Sequence, residues 1–307
     1  MVDLHMHTTV SDGAHTAREL ILRAKEIGLS AISITDHDTM KAYSEPGLFE
    51  FAKECRVELI TGIEISTRDD DGNKYHILGY NLSTEDEDLL GLLQKIEKSR
   101  TEYTEKVVDT LRALRFDIDE TELVVDGGTI TKAHIARSVV KHPHNRERLS
   151  LELGENFTEG AFIEKYLLPG QEAFVLPGYS CTTLRAVEAI HGAGGAVIVA
   201  HPAFNIIKGQ DFSEMCERLE SLGIDGYEAI NIQFDKSNND IEVDMVKDFS
   251  ERATKKGLII TGGSDYHSSD SLMGNIVELG MVNTKYQVED SIIEKLKNTA
   301  LRYHADI

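Results

Sequence analysis

Three features are scarce in this sequence of 307 residues: cysteine, positive charge and long apolar segments. The three cysteines stand far apart without a Cys-x-x-Cys pair, so the sequence predicts neither a disulfide framework nor a zinc ribbon. With 32 Lys and Arg against 53 Asp and Glu, the formal net charge is −21, which argues against binding to duplex DNA or to anionic membrane. A small anionic substrate is still compatible with this charge, because bound cations reverse the charge of a pocket.

The sequence also shows no segment of the kind that predicts membrane insertion or export. No apolar run approaches the ~20 residues that span a bilayer. A basic segment followed by an apolar one does not precede the first predicted strand, so no leader is expected. We therefore expect a cytoplasmic protein.

The sequence does contain a regular alternation of predicted strands and helices. Short apolar segments such as Val2–His7, Ala31–Thr35 and Glu58–Glu64 are followed by amphipathic segments with helix caps. Other runs, such as Ala196–Ala200, are apolar on both faces, which is typical of parallel strands covered by helices. About seven such units predict an α/β barrel, in which functional residues gather at the carboxyl ends of the strands.

The alternation is interrupted in the middle of the chain. Apolar residues recur at helical spacing over 85–114, and further helices are predicted over Lys132–Lys141 and Glu159–Leu168. The alternation then returns, with helices predicted over Asp240–Lys256 and Val288–Ala300, among others.

Two domains follow from this interruption. We predict a discontinuous barrel of residues 1–83 and 181–307, and a helical insertion of residues 84–180, which we call the cap.

Histidines and carboxylates stand at the ends of the predicted strands. His5 and His7 are one residue apart, so in an extended strand both imidazoles point to the same face and can reach one metal ion. Imidazole combined with carboxylate suits Zn²⁺, Mn²⁺ or Fe, whereas oxygen-only sets suit Mg²⁺ and Ca²⁺. The candidate ligands are His5, His7, Asp12, His37, Glu64, His76, His201, Asp265 and His267.

Each candidate also has a plainer structural explanation. A single histidine at a strand end is more often hydrogen-bonded than metal-bound, Asp12 and Asp265 could cap helices, and His76 begins its predicted strand instead of ending it. Nine independent coincidences at one rim are improbable, so the joint pattern favours a hydrolase with several metal ions.

Seven motifs around these candidates resemble those of the polymerase and histidinol phosphatase (PHP) domain family. They are Asp3-Leu4-His5-Met6-His7, Ser11-Asp12-Gly13, Thr35-Asp36-His37-Asp38, Gly62-Ile63-Glu64, His76-Ile77-Leu78-Gly79, Ala200-His201-Pro202 and Gly263-Ser264-Asp265-Tyr266-His267. The resemblance implies a distorted seven-stranded (β/α) barrel, the PHP fold, with a helical insertion. It also implies three divalent ions, with Mn²⁺ expected and Zn²⁺ or Fe as alternatives.

The resemblance further implies how the ligands are shared. His5, His7, Glu64 and Asp265 would hold the first ion. Glu64 would bridge to a second ion that is completed by His76 and His201. The third ion would be held by Asp12, His37 and His267.

Within the family, the chain is similar to stand-alone phosphoesterases that act on nucleotides, nucleoside 3′,5′-bisphosphates and short RNA ends. The segments Lys132–Arg137 and Phe162–Val175 of the cap carry this similarity. It implies Lys132, His134 and Arg137 as substrate-binding residues. Two positions differ from the branch: Lys132 stands where arginine is frequent, and Gln171 where a basic residue is common. A lysine offers phosphate a point charge instead of a bidentate fork.

The cap also has a local cluster of basic residues, Lys132, His134, Arg137, Lys141 and Arg146. Such a cluster either grips a second phosphate of the substrate or is only a solvated helix face, and the pattern leaves both open.

The function predicted from the sequence is that of a metal-dependent phosphoesterase. It would hydrolyse phosphate monoesters of nucleotides through a metal-bound hydroxide, with Asp12, Glu64, His201 and Asp265 as catalytic residues. Its partners would be small nucleotide-like anions, with short RNA as a further possibility, and neither duplex DNA nor membrane. The alternatives are a histidinol-phosphate phosphatase and a non-catalytic, metal-binding regulatory PHP module.

Overall fold

The computed structural model describes residues 1–124, 130–176, 178–235, 241–268, 278–282 and 285–304. The strands are β1 (Val2–Asp3), β2 (Ala31–Ile34), β3 (Glu58–Arg68), β4 (Lys74–Tyr80), β5 (Cys181–Thr182), β6 (Ala196–Val199), β7 (Gly226–Ile230), β8 (Phe234–Asp235), β9 (Ile241–Glu242) and β10 (Ile259–Gly262). The α-helices are α1 (Ala17–Glu26), α2 (Leu48–Cys55), α3 (Glu87–Ala113), α4 (Lys132–Val140), α5 (Arg146–Leu153), α6 (Glu159–Phe162), α7 (Thr183–Gly192), α8 (Ala203–Ile207), α9 (Phe212–Ser221), α10 (Val246–Lys256) and α11 (Ser291–His304).

One curled sheet carries the site. Its seven main strands follow the order β1-β2-β3-β4-β6-β7-β10, and β5 pairs with the end of β3. The pairs are parallel except at β4, which runs antiparallel to both β3 and β6. The predicted distorted seven-stranded barrel with a helical insertion is confirmed.

Backbone hydrogen bonds join the two edges of this sheet just beyond β1 and β10. The Leu4 N–H donates to Gly262 O at 3.3 Å, and the Asp265 N–H donates to His5 O at 2.9 Å. A bridge between Met6 and Tyr266 continues the contact. The segments that carry His5, His7, Asp265 and His267 therefore lie side by side.

The strands are apolar on both faces because each face packs against a different cluster. In β6, Val197 and Val199 belong to a cluster that includes residues of α1, α2, α7 and α9, whereas Ile198 belongs to a second cluster with residues of α11. This is the period-2 arrangement expected of a strand that is covered on both sides.

The segments between β4 and β5 form a third apolar cluster. Leu111 of α3, Val139 of α4 and Phe162 of α6 are among its fully buried members. The first turns of α3 belong instead to the barrel, since Leu92 and Ile96 pack into its main cluster. Helix α3 thus extends from the barrel core into the cap core, while the residue limits of the two domains stay a prediction.

Several predicted elements have different bounds in the structure. The segment 85–114 forms the single helix α3. The prediction over Glu159–Leu168 becomes the short α6 followed by a π-helical turn over Ile163–Leu167. The helix predicted from Asp240 begins only at Val246, because β8 and β9 pair as a hairpin; Asp240 itself lies outside the described residues.

Helices α5 and α8 and the short strands β5, β8 and β9 were not predicted, because each is too short to show a periodic pattern. No helix of the described ranges has both the length and the apolar character needed to cross a membrane.

Candidate metal centre

The nine predicted ligands converge at one rim of the sheet. The strands before His37, His201 and Asp265 are mutually parallel within the sheet, so their carboxyl ends open on the same side. Strand β4 is antiparallel, and its beginning, which carries His76, therefore lies at this rim as well. The position of His76 at the start of its strand is thus what the topology requires of a residue at this rim.

Glu64 lies at the middle of the cluster and is fully buried in β3. Nitrogens of five histidines lie within 3.3 Å of its two carboxylate oxygens: His5, His7 and His37 at Oε2, and His76 and His201 at Oε1. A single carboxylate therefore connects both sides of the cluster.

The ligand atoms form overlapping groups, within each of which all atoms lie within 4.8 Å of one another. These groups are His5, His7, Glu64 and Asp265; His7, Asp12, His37 and His267; and His37, Glu64 and His76. His201 joins the last group through Glu64 Oε1, at 3.1 Å.

The first group contains the same residues as the set implied for the first ion. The other two groups differ from the implied division: His7 belongs to both the first and the second group, and His37 to both the second and the third. Which ion each residue would hold stays a prediction.

The arrangement fits a cation. Glu64 Oε2 and His37 Nδ1 lie 2.9 Å apart but are not in hydrogen-bond geometry, and Asp12 Oδ1 is a further buried oxygen that accepts no hydrogen bond from the described residues. Buried polar atoms of this kind cost free energy unless a partner compensates them. The mixed imidazole and carboxylate donors suit Mn²⁺, Zn²⁺ or Fe.

Charges within the cluster separate the histidines into two kinds. Burial lowers the pKa of His7 to about 3, and the positive charges of His267 and His37 contribute. Burial acts in the same direction on His37 and His267, but the carboxylates of Glu64 and Asp12 outweigh it. They raise the pKa of His37 to about 10, and Asp12 above all raises that of His267 to about 9. His7 is therefore neutral near pH 7, as a metal ligand must be, whereas His37 and His267 would have to release a proton when a metal binds.

Three carboxylates that the sequence reasoning did not select hold the ligand-bearing loops. Asp36 accepts from Thr8 N–H and Thr8 Oγ1, both at 2.7 Å, in the loop that leads to Asp12. Asp3 accepts from Ser264 N–H at 2.9 Å, next to Asp265. Asp38 accepts from Ser66 N–H at 2.8 Å. All three stand within the motifs quoted above, close to a predicted ligand, and this position was the sequence signal that could have identified them.

Glu228 was missed as well. It is 1% exposed, its Oε1 lies 2.9 Å from His5 Nδ1, and its Oε2 accepts from the His201 N–H at 2.7 Å. The available signal was a carboxylate in the middle of β7, a strand that is otherwise apolar and buried.

Two of the ligand positions have a left-handed backbone. The φ angles are 29° at His201 and 55° at Asp265. Such conformations are unfavourable for residues with a Cβ and persist where the surrounding contacts enforce them, which happens often at functional sites.

The basic residues of the cap do not form one continuous surface. Arg137 pairs with the buried Glu159 at 2.9 Å, and Lys141 pairs with Glu122 at 2.9 Å. Arg146 is exposed. The substrate-binding role predicted for Arg137 therefore involves a guanidinium that a carboxylate already engages.

His134 is buried in the first turn of α4. Its Nδ1 lies 3.2 Å from Thr131 N, which donates to it in a capping box. Burial lowers the pKa of His134, and the charge of Asp12 opposes this shift.

Lys132 lines a cavity of about 250 Å³ beside the metal centre, and we call this cavity the side pocket. His76 belongs to both the pocket wall and the ligand cluster. The wall contains the cations Arg68, Lys74, Arg100 and Lys132 and the aromatic rings of Tyr103, Phe174 and Tyr179. Of these four cations and three aromatic residues, only Lys132 was predicted from the sequence as a substrate-binding residue.

Comparisons with known proteins identify the family of this chain. The PHP domain model matches residues 3–164. A 5′-3′ exoribonuclease of Haemophilus influenzae is 30% identical over 267 residues, covering 86% of this chain and 89% of that protein. A 3′,5′-nucleoside bisphosphate phosphatase of Chromobacterium violaceum is 25% identical over 277 residues, covering 87% of each chain.

A solved structure shows the same fold. The crystal structure of a Bifidobacterium adolescentis protein, assigned as a metal-dependent phosphoesterase, matches with a TM-score of 0.77 at 24% identity, covering 97% of this chain and 96% of that one. The resemblance read from the motifs is confirmed. This chain belongs to the PHP domain family and is a metal-dependent phosphoesterase.

Proposed function

We propose that the enzyme hydrolyses phosphate monoesters of nucleotides, with nucleoside 3′,5′-bisphosphates, nucleoside monophosphates and short 5′-phosphorylated RNA as the substrate class. The observation that carries this proposal is the side pocket, which places positive charge and aromatic rings next to the ligand cluster. The relatives named for exoribonuclease and bisphosphate phosphatase activity support the same class.

The nine clustered side chains are the residues that would hold the metal ions, and three ions, with Mn²⁺ expected, remain our proposal. Bound ions would lower the pKa of a water molecule and neutralise the charge on the phosphoryl oxygens. Burial alone would raise the pKa of Glu64, but the surrounding histidines hold it well below its usual range, so this carboxylate stays ionised. Glu64 thus supplies a permanent negative charge at the middle of the cluster.

The side pocket complements a second anionic group of the substrate. No carboxylate of the described residues lies within ion-pair distance of Lys132 or Lys74, so both ammonium groups lack an internal counter-ion. Arg100 is held in place, since its Nη2 donates to Asp38 and to Ser66 Oγ. A phosphate or ribose placed here would orient the phosphoester at the metal centre, because His76 borders both regions.

The aromatic residues of the pocket suit a nucleobase. The rings of Tyr103 and Phe174 lie in the same wall as Lys132, and a base can stack on such a ring regardless of its identity. This arrangement supports a nucleotide and leaves the base unspecified.

The pocket argues against histidinol phosphate. That molecule carries one phosphate and an ammonium group, and four cations in the pocket wall would repel the ammonium. In a bisphosphate the second group is a phosphate instead of an ammonium, and its negative charge would be attracted.

A substrate panel with Mn²⁺ tests the proposal. It should contain adenosine 3′,5′-bisphosphate, AMP, short 5′-phosphorylated RNA and histidinol phosphate. We expect kcat/KM to be highest for a nucleotide substrate. The matched variants are Lys132→Ala and Lys106→Ala, since Lys106 is an exposed lysine of α3 outside the pocket wall.

The expected loss follows from a charge-assisted hydrogen bond, which contributes about 1.5–3 kcal/mol. Lys132→Ala should therefore lower kcat/KM for the bisphosphate by roughly 10- to 100-fold and for AMP much less. Lys106→Ala should match the parent. Preference for histidinol phosphate, or an equal loss on every substrate, would contradict the proposal.

A further inference from the structure

Glu228 contacts two of the predicted metal ligands, His5 and His201, which lie far apart in the chain. It lies in β7, between β6 and β10 in the sheet, and is almost fully buried. His5 follows β1 and His201 follows β6, so no local sequence pattern relates the three residues.

The contact with His5 sets which ring nitrogen faces the ligand cluster. His5 Nδ1 lies 2.9 Å from Glu228 Oε1. On the other side of the ring, Nε2 lies 3.2 Å from His7 Nε2 and 3.3 Å from both Glu64 Oε2 and Asp265 Oδ1. A carboxylate that accepts from Nδ1–H leaves the Nε2 lone pair directed at the cluster.

The contact with His201 holds a strained backbone. The second oxygen of Glu228 accepts the His201 N–H at 2.7 Å, and this residue has a φ of 29°. The His201 Nε2 lies 3.1 Å from Glu64 Oε1. The same carboxylate therefore fixes the ring of one predicted ligand and the main chain of another.

We propose that Glu228 is a positioning residue of the metal centre, which fixes His5 in its Nε2-binding tautomer and holds His201 in its left-handed conformation. This inference rests on the proposed metal ligands and does not depend on which phosphoester is the substrate. Partners of this kind, which hydrogen-bond to a ligating histidine, typically change metal affinity or activity by about 10- to 100-fold when they are replaced.

Glu228→Gln is the sharpest variant, because an amide has one acceptor oxygen where the carboxylate has two. If the amide oxygen faces His5, the amide NH₂ meets the His201 N–H, and two donors face each other. If the amide is turned, its NH₂ faces His5 Nδ1 and favours the tautomer with a proton on Nε2. Either orientation disturbs one predicted ligand while the side-chain volume is kept.

Glu220→Gln is the matched control. Glu220 of α9 accepts from Tyr227 Oη at 3.1 Å and from Arg252 at 2.6 and 2.7 Å. Tyr227 precedes Glu228 in β7, so its side chain points to the opposite face of the strand. The control thus removes a carboxylate that packs against the same strand but lies on the side away from the ligand cluster.

The test is chelator competition with Mn²⁺ and with Zn²⁺ on the full chain, together with thermal unfolding of the metal-free proteins. We expect Glu228→Gln to bind the tightest metal equivalent about 10- to 100-fold more weakly than the parent, and Glu220→Gln to bind it like the parent. Parental metal affinity in a folded Glu228→Gln protein would overturn the proposal. Since no substrate is present, a wrong nucleotide assignment would not affect this result.

A second measurement applies if Glu228→Gln does not fold. Histidine NMR of the Zn²⁺-loaded parent should show a proton on His5 Nδ1 that exchanges slowly with solvent and no proton on Nε2. A His5 that carries its proton on Nε2, or a Nδ1 without a proton, would refute the tautomer assignment on the unmodified protein.

Discussion

The pKa of Lys132 in the wall of the side pocket falls within the usual pH range of an assay. Burial lowers the pKa of Lys132 from 10.5, and the positive charges of Lys74, Arg100 and Arg68 lower it further, to about 8. The ammonium is thus present below pH 8 and is lost as the pH rises through 8. An arginine at this position would keep its charge, because the guanidinium does not deprotonate in proteins.

The magnitude follows from this pKa. At pH 9 about one tenth of the Lys132 side chains would be charged, so the attraction for a second phosphate should fall close to tenfold per pH unit above 8, or about 1.4 kcal/mol. The phosphate itself does not titrate there, since its second pKa is about 6. The decline should appear in kcat/KM, which reports groups of the free enzyme.

The assay compares a nucleoside 3′,5′-bisphosphate with the matching monophosphate from pH 7 to 9.5 at constant ionic strength. We use the ratio of the two kcat/KM values, because it cancels titrations at the metal centre. In the parent this ratio should fall above pH 8. In Lys132→Arg it should stay constant, and in Lys132→Ala it should be constant and low. A ratio that falls equally in the parent and in Lys132→Arg would refute the assignment of the decline to Lys132.

Three further predictions concern the metal centre. The Asp12→Ala protein should stay folded but lose about one equivalent of metal and orders of magnitude of activity. The Glu64→Ala protein should lose more than one equivalent, because the Glu64 oxygens contact histidines on both sides of the cluster. Metal analysis of both variants beside the parent checks this prediction. In the metal-free protein, the raised pKa values of His37 and His267 stabilise the folded state fully below about pH 6.5, and this stabilisation is lost as the pH rises through about 9 and 10. Urea unfolding in the presence of a chelator should show this decline in the free energy of unfolding. Metal binding near pH 7.5 should release protons from the same two histidines, which calorimetry in buffers of different ionisation enthalpy would detect, and an enthalpy independent of the buffer would contradict it.

The ligand cluster was accessible from the sequence because parallel strands bring their carboxyl ends to one rim. Residues at the ends of separate strands, such as His37 and His201, therefore reach the same carboxylate, that of Glu64. His76 was ambiguous for a physical reason. A strand's direction depends on its pairing, and only the antiparallel β4 explains why a residue near a strand start belongs to the same rim.

The side pocket was not accessible in the same way. Arg68 and Lys74 are paired across the turn between β3 and β4, but nothing in the sequence spacing relates them to Arg100 of α3 or Lys132 of α4. The role of the cap's cluster of basic residues stayed open for a similar reason. The counter-charges of Arg137 and Lys141 are Glu159 and Glu122, which lie 22 and 19 positions away in the chain. Charge partners of this kind are decided by tertiary packing, which the local pattern does not contain.

Helix α3 connects the side pocket to the metal centre. Its first turns pack into the barrel core through Ile96, its last turns pack into the cap core through Leu111, and Arg100 lies between them. Arg100 lines the side pocket and at the same time donates to Asp38, the residue after His37. An anion bound at Arg100 would therefore sit on a guanidinium that is fixed to a ligand-bearing loop. The cap and the barrel share both a helix and this hydrogen bond, so the side pocket is positioned by the same contacts that position His37. In the complex that we propose, the fold would therefore set the distance between the second phosphate and the reacting one.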